Sequence, residues 1–394
     1  MRRVNPKGFL YSAVEAAIKK PGRHDLAIIY SETEANIAGI FTTNKIKAAP
    51  VHLDIRRIRN GRGQAIVVNS GNANACTGQR GMNDAIEITK RIAGHLHIDQ
   101  SLVSICSTGV IGITLPMKSI RKQIPQLVSN LGKSRVEDVA SAMMTTDSFP
   151  KISSRNVKIG NKTGSIIGIC KGAGMICPSM ATMLCFIMTD IAVHRETLRI
   201  SLHEAVQQSF NRIVVDGDMS TNDSVLIMAN GVLGNREITE TARSYRVFRD
   251  SLFGITADLA KMIIRDGEGA SKFIEIIVKG AKTEAEAKKA AYAVAKSYLV
   301  KTALYGNDAN WGRIMAALGY SGSRIREDKT DIYFGKINVV RAGTGTGKDD
   351  EAGNYLKRKE VSITIDLKIG KASSHVYTCD LTEEYVRINA AYRT

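Results

Sequence analysis

Lys171-Gly172-Ala173-Gly174-Met175-Ile176-Cys177-Pro178-Ser179-Met180-Ala181-Thr182-Met183-Leu184-Cys185-Phe186-Ile187-Met188-Thr189-Asp190 is the stretch from which the rest of the chain is read. A Gly-rich approach meets a Pro stop and small residues, and an apolar run then opens at Thr182 and reads as a buried strand. The run ends at Asp190, far too short to span a bilayer. Thr at the mouth of a strand has two readings. It begins many ordinary strands, and after a small residue it is also what a self-cleaving chain needs. In that second reading the Thr182 hydroxyl attacks the Ala181 carbonyl, and an ester forms and hydrolyses. Thr182 then becomes a new N-terminus whose amine activates its own hydroxyl. The order Lys171-Gly172-Ala173-Gly174 is not that of a phosphate-binding loop, where Lys follows the last Gly.

Upstream, Asp25 to Tyr30 and Ala35 to Phe41 read as an opening pair of strands, and Gln64 to Val68 as another. The last runs into Asn69-Ser70-Gly71-Asn72-Ala73-Asn74, a loop of small amide and hydroxyl residues suited to satisfying backbone groups or to lining a site. Gly81 to His95 has helical spacing. Leu102 to Cys106 forms a strand that stops at Ser107-Thr108-Gly109. Such an end is either a simple turn or a place where a hydroxyl and a backbone N–H face outward together, the equipment of an oxyanion hole. Pro116 to Leu131 and Arg135 to Met144 read as helices, with Pro125 a kink or break in the first. Val157 to Ile159 and Ser165 to Ile169 read as strands.

Downstream, Arg195 to Phe210 is amphipathic, and Asp216-Gly217-Asp218-Met219-Ser220-Thr221-Asn222-Asp223 is the most acidic loop. It lacks the Gly and the closing Glu of a calcium loop, so a hydrogen-bonding role is expected of it. Thr239 to Ile264 reads as a helix delivering Asp266-Gly267-Glu268-Gly269-Ala270. Phe273 to Val278 is a strand, Glu284 to Ala303 a helix and Gly306 to Arg313 a polar loop. A sheet-rich lobe follows, with strands at Ile332 to Val340, Val361 to Leu367 and His375 to Asp380.

A chain of 394 residues with 44% hydrophobic content has ample material for two or three folded domains. The formal charge of +17 comes from Lys and Arg scattered over amphipathic segments, so a solvated basic surface is expected rather than a nucleic-acid partner. Six cysteines without a C-x-x-C pair point to reduced core residues in a cytoplasmic protein, not to disulfides or zinc. Pro6, Gly8 and Glu15 interrupt any signal-peptide core near the start. No metal and no membrane partner is expected.

The stretch around Thr182 resembles the cleavage region of the ornithine acetyltransferase (ArgJ) family. Other segments resemble that family too: Ser107-Thr108-Gly109-Val110-Ile111-Gly112, Met144-Thr145-Thr146-Asp147 with Phe149-Pro150-Lys151, and Phe210-Asn211-Arg212 running into Asp216-Gly217-Asp218. So do Asp266-Gly267-Glu268-Gly269-Ala270 and the closing Asn389-Ala390-Ala391-Tyr392-Arg393-Thr394. The resemblance implies an α/β fold, a layered α-β-β-α sandwich of the ArgJ/aminopeptidase-like type with a sheet-containing C-terminal lobe from roughly residue 281. Cleavage between Ala181 and Thr182 would leave an alpha chain of 1–181 and a beta chain of 182–394, assembled as an α2β2 heterotetramer.

The activity implied is ping-pong acetyl transfer from N2-acetyl-L-ornithine to L-glutamate through acetyl-Thr182, in cyclic arginine biosynthesis. Thr108 and Gly109 take the oxyanion role, and Thr145, Lys171, Thr182, Glu268, Asn389 and Thr394 the substrate contacts. Lys171 suits a carboxylate and Glu268 an ammonium. No cofactor is implied, though acetyl-CoA is a co-substrate in a bifunctional alternative. A self-processing aminopeptidase or amidase is the second alternative. Ala391, where many members have Asp, and the variant Cys177 and Ser179 remove no group the mechanism needs.

Overall fold

The computed structural model describes residues 4–19, 22–177 and 183–391. From the N-terminus its elements run β1 (Phe9–Val14), β2 (Leu26–Phe41), α1 (Ala49–Arg57), β3 (Arg62–Asn72), α2 (Gly78–Leu96), β4 (Val103–Val110), α3 (Met117–Ser129) and α4 (Val136–Met143). Next come β5 (Lys151–Ile159), β6 (Lys162–Lys171), β7 (Leu184–Thr189), α5 (Arg195–Gln208), β8 (Ile213–Val214), β9 (Ser224–Ala229) and α6 (Tyr245–Arg265). The remainder is β10 (Phe273–Ala281), α7 (Glu284–Lys296), α8 (Tyr298–Tyr305), α9 (Trp311–Gly319), β11 (Asp331–Phe334), β12 (Ile337–Arg341) and β13 (Thr344–Gly345). It closes with α10 (Asp349–Leu356), β14 (Glu360–Asp366), β15 (Ala372–Cys379) and α11 (Glu383–Ala390). The class is α/β, with two mixed sheets.

The chain divides into two units. The first holds residues up to Gly172 together with Ser179–Asn211 and Met219–Ala260. Its eight-stranded sheet has the order β4-β3-β2-β9-β7-β6-β5, with β1 paired to β2 off that path. The apolar run after Thr182 becomes β7, whose six residues are all buried. It reads as a continuous apolar run and not an alternating one because both of its faces are covered. On one face Phe186 and Met188 join Ile167, Ile169, Leu226 and Met228 in a core that takes in Val139 and Met143 of α4. The opposite face meets α6 so closely that a Cβ on Gly168 would lie 2.9 Å from both Ile255 and Leu259. Helices α2 and α3 cover the other flank through Ile88, Ile92, Ile120, Ile124 and Leu127.

The second unit holds Ala173–Pro178, Arg212–Asp218 and the chain from Lys261 onward. Its sheet has the order β13-β12-β11-β14-β10-β15-β8. The alanine-rich face of α7 (Ala287, Ala290, Ala291, Val294) packs in the same core as Ile274, Ile276 and Val278 of β10. Small side chains let the helix approach the sheet closely.

Several elements differ from the sequence expectations. The opening pair of strands is one strand, β2, carried through its polar middle by a register shift against β3 between Tyr30 and Ala35. Pro125 does not end α3, which runs on through it to Ser129. It lies on the exposed face, where the carbonyl deprived of its N–H partner is open to solvent. The helix expected over Glu284 to Ala303 is two, because Ser297 leaves helical geometry and its side chain caps α8 through the Val300 N–H. Ile332 to Val340 folds as the hairpin β11–β12, and the polar loop before Arg313 already starts α9, capped by Asn310. Five of the six cysteines are buried core residues and none forms a disulfide. Among the described residues, no helix is long and apolar enough to cross a membrane.

Candidate active site

In the first unit, one end of the sheet gathers the chemistry. Strand β6 ends at Lys171, which pairs with Leu184 at the start of β7, and Leu184 pairs in turn with Ser224 at the start of β9. Ser224 also pairs with Phe41, the last residue of β2. The segments just outside these strands, Met183 and the loop up to Asp223, are therefore held side by side. Met183 is pinned twice: its N–H donates to Asp223 Oδ1 at 3.0 Å, and its carbonyl accepts the Ser224 N–H at 3.1 Å.

The strand β4 end supplies Thr108 and Gly109. Thr108 is buried, and its Oγ1 accepts from Lys171 Nζ at 3.4 Å. Gly109 has φ +136°, and a Cβ there would lie 2.2 Å from Gly71 C and 2.4 Å from Asn72 N, so the close approach of β3 demands glycine. Asn222 ties this end to the acidic loop: its Nδ2 donates to Ala73 O at 2.7 Å and Ser107 O at 2.8 Å. The amide side chains of residues 69–74, the end of β3 and the two residues after it, are spent on local order. Asn69 donates to Asn72 O, Asn72 to Ile113 O and Thr114 O, and Asn74 to Gly81 O.

Beside Lys171 lies a buried ionic cluster. Asp147 Oδ1 accepts from Lys151 Nζ at 2.7 Å and from the Gly172 N–H at 2.7 Å, and Oδ2 from the Thr145 N–H at 3.0 Å. Neither side chain of the Asp147–Lys151 pair is exposed. Burial alone would push the Asp147 carboxyl up. The charges of Lys171 and Lys151 and the hydrogen bonds it accepts outweigh that and hold it below the usual carboxylate range. Lys19, which donates to the carbonyls of Ala142 and Met144, is brought down to about 8, chiefly by burial and further by Lys171. A carboxylate held by three donors keeps Thr145, Gly172 and Lys151 in one arrangement.

The second unit carries its own cluster. Glu268 is buried, its N–H donates to Ala173 O at 2.9 Å, and its Oε2 accepts from Asn389 Nδ2 at 2.8 Å. A Cβ on Gly174 would fall 2.2 Å from that same Oε2, so glycine lets the carboxylate lie against the backbone. Asp216 accepts from the N–H groups of Met175 at 2.6 Å and Ile176 at 2.9 Å, which fixes the Gly-rich approach. Burial pushes the phenol of Tyr385 up, with Asp216 adding to the shift.

The structure thus brings Thr108, Gly109, Lys171 and Thr145 to one neighbourhood of the first unit, and Glu268 and Asn389 together in the second. Ala181, Thr182 and Thr394 lie outside the described residues. Sequence reasoning assigned no role to Lys151 and no specific one to Asp147, and it expected of Asp216, Asn222 and Asp223 only that their loop forms hydrogen bonds. Their signal was present in the acidic loop and in an Asp four residues before a Lys, but only the fold shows those groups buried. Among the described residues there is no group of three or more His, Cys, Asp or Glu able to hold a metal.

An α/β fold with this sheet-end constellation belongs here to an acyltransferase. The family model described as the ArgJ family matches residues 10–394, and the chain belongs to that family. The Geobacter sulfurreducens protein named "Arginine biosynthesis bifunctional protein ArgJ" is 52% identical over 393 residues, covering 99% of this chain and 100% of that protein. The protein of the same name from Syntrophotalea carbinolica is 50% identical with the same coverage. A solved ArgJ structure from Bacillus halodurans is 44% identical with a TM-score of 0.51, and the match covers 52% of this chain and 98% of that one.

Proposed function

We propose that this protein cuts itself between Ala181 and Thr182 and then transfers the acetyl group of N2-acetyl-L-ornithine to L-glutamate through an acetyl ester on Thr182. The observation that carries the reading is the placing of Met183, Lys171 and the Thr108–Gly109 strand end at one end of a single sheet, with Lys171 Nζ 3.4 Å from Thr108 Oγ1. Thr182 is the nucleophile and its freed α-amine, with an ordinary pKa of about 8, is the base. Thr108 and the Gly109 N–H hold the oxyanion, for which buried donors are worth more than in water. Lys171 takes an amino-acid carboxylate and Glu268 an ammonium, and Thr145, Asn389 and Thr394 complete the contacts. The enzyme works without a cofactor in the cytoplasm, as an α2β2 assembly of residues 1–181 and 182–394.

A length relation supports self-cleavage. The Geobacter relative is matched over its full length, whereas the solved Bacillus halodurans chain is spent after about half of this one. The word "bifunctional" in the relatives' names favours a second donor, acetyl-CoA, for the same acetyl-Thr182 intermediate. Intact mass of the denatured wild type beside Thr182→Ala tests the reading. Two fragments breaking between Ala181 and Thr182 in the wild type alone are expected, and an uncut wild type would overturn it. Glutamate-dependent release of ornithine, then acetyl-CoA with glutamate, separates the two donors.

A further inference from the structure

Part of the formal charge of +17 is gathered around one hollow. A cavity of about 640 Å³ is walled by Lys158 and Gly160 on one side and by the segment from Arg236 to Val247 on the other. All of its lining belongs to the first unit. Strand β5 is the edge of its sheet, and the β5–β6 hairpin turns at Gly160 with φ +62°, which leaves Lys158 at a corner. The segment carrying Arg236 is held in place by Ile238, which bridges in parallel to Val193. Two successive turns, Ala242 N–H to Thr239 O and Tyr245 N–H to Ala242 O, both at 3.0 Å, then carry Arg243 round and lead into α6.

The cations of this hollow are left open. Nearby surface cations are neutralised: Arg155 on β5 pairs with Asp258 at 3.0 Å, and Arg249 on α6 with Asp250 at 3.0 Å. Lys158, Arg236 and Arg243 have no such partner among the described residues, and Glu237 is the one acid in the lining. Cations that converge on one concavity repel one another and focus a positive potential into it. Hydroxyls add to the donors. Thr239 Oγ1 and Thr241 Oγ1 lie 3.2 Å apart, so one donates to the other and the second keeps its hydrogen for a further acceptor.

We propose that this cavity binds a small anion bearing two linked phosphate groups, at a site separate from that of acetyl transfer. Two guanidinium forks and an ammonium suit phosphate, with its several acceptor oxygens and higher charge, better than a carboxylate. Glu237 offsets part of the cationic charge, which suits a diphosphate rather than a longer chain. The volume falls within the ordinary range of a small-ligand site, about 300–1,000 Å³. Lys158 pairs with Thr163 near the start of β6, and Lys171 ends that strand. At about 3.3 Å per residue the two lysines stand about 26 Å apart, so the ligand is neither acetyl donor nor acceptor. The site depends neither on self-cleavage nor on the transfer reading.

Calorimetric titration of the full-length protein with pyrophosphate and with ADP, each without divalent metal, tests the proposal. Lys158→Ala/Arg236→Ala/Arg243→Ala is compared with the wild type and with Lys90→Ala/Lys118→Ala/Lys348→Ala, which removes three exposed lysines elsewhere and the same net charge. The wild type should bind one equivalent of at least one probe, and the control variant should bind it within about twofold as tightly. The cavity variant should bind at least about 100-fold more weakly, the scale of the charged hydrogen bonds lost. Tighter binding of ADP assigns an ester-borne diphosphate, and equal or tighter binding of pyrophosphate the free ion. All six residues are exposed, so both variants should melt within about 2 °C of the wild type without ligand. Should the cavity variant melt lower, Arg243→Gln alone carries the comparison, with a loss of about 10-fold expected. No saturable binding of either probe to the wild type would overturn the proposal. So would an equal loss in the cavity and control variants, the mark of general surface charge, or tighter binding of citrate than of both probes, the mark of a carboxylate site.

Discussion

Replacing Asp147 by Asn removes the anion from a buried cluster while changing its shape very little. The wild-type carboxylate holds Lys151 Nζ and the Gly172 N–H at 2.7 Å and the Thr145 N–H at 3.0 Å, and the Lys151 side chain is wholly inaccessible. An amide can still accept one of these hydrogens, but it removes the negative charge that faces Lys151 and Lys171. Stranding one member of a buried ion pair costs about 3–5 kcal/mol. For a domain of this size each kcal/mol moves the melting point by about 2–4 °C, so Asp147→Asn should melt about 6–20 °C below the wild type at pH 7.5.

Two further measurements separate this cause from loose packing. Lys151→Met placed on Asp147→Asn removes the stranded cation, and since an apolar pair often does as well as a buried ionic one, the double variant should recover most of the loss. The second is acid. The folded pKa of Asp147 lies below its unfolded value, so its contribution is fully present above about pH 4 and is lost as pH falls through the folded value. The gap between wild type and Asp147→Asn should therefore hold from pH 8 to about 5 and narrow below about 4. Scanning calorimetry on the four proteins of the cycle gives both readings. A double variant that melts at the sum of the two single losses would refute the coupling argued here, as would a gap that widens in acid.

Gly109→Ala puts a methyl 2.2 Å from Gly71 C at a φ of +136°, so β3 and β4 must part. The backbone strain alone costs about 1–3 kcal/mol, and a drop in melting point together with loss of both cleavage and acetyl transfer is expected. Retained cleavage with normal stability would mean that the strand ends adjust more freely than their register allows. Asp54, fully buried and accepting from the Ile105 N–H, is raised to about 8 by burial. Its folded pKa exceeds its unfolded one, so its contribution is complete below about pH 4 and declines as pH rises toward 8. Asp54→Asn should flatten that decline in a urea-unfolding series from pH 5 to 9, and an unchanged slope would contradict it.

What could be read beforehand follows from how local each signal is. The strand after Thr182, the helices α2 and α5 and the strand ending at Thr108–Gly109 are written in runs and spacings that survive any tertiary context. Element ends were less legible. β2 continues through the polar residues Ser31 to Glu34 because a register shift carries it past β3, and Ser297 divides a helix that periodicity alone joins. The site divided in the same way. Residues that carry reactive or charged groups in recognisable motifs, such as Thr182, Thr108, Lys171 and Glu268, were named from the sequence. Asp147 and Asp223 were present in quoted segments but passed without a specific role, because an aspartate in a loop is ordinarily a solvated turn residue. What sets these two apart is burial and the donors they hold: the Thr145 and Gly172 N–H groups and the Lys151 ammonium on Asp147, and the Met183 N–H on Asp223. Both quantities belong to pairs of segments far apart in sequence. They exist only once β6, β7 and β9 are laid edge to edge, so the functional weight of an acid here is a property of the sheet end and not of the motif that contains it.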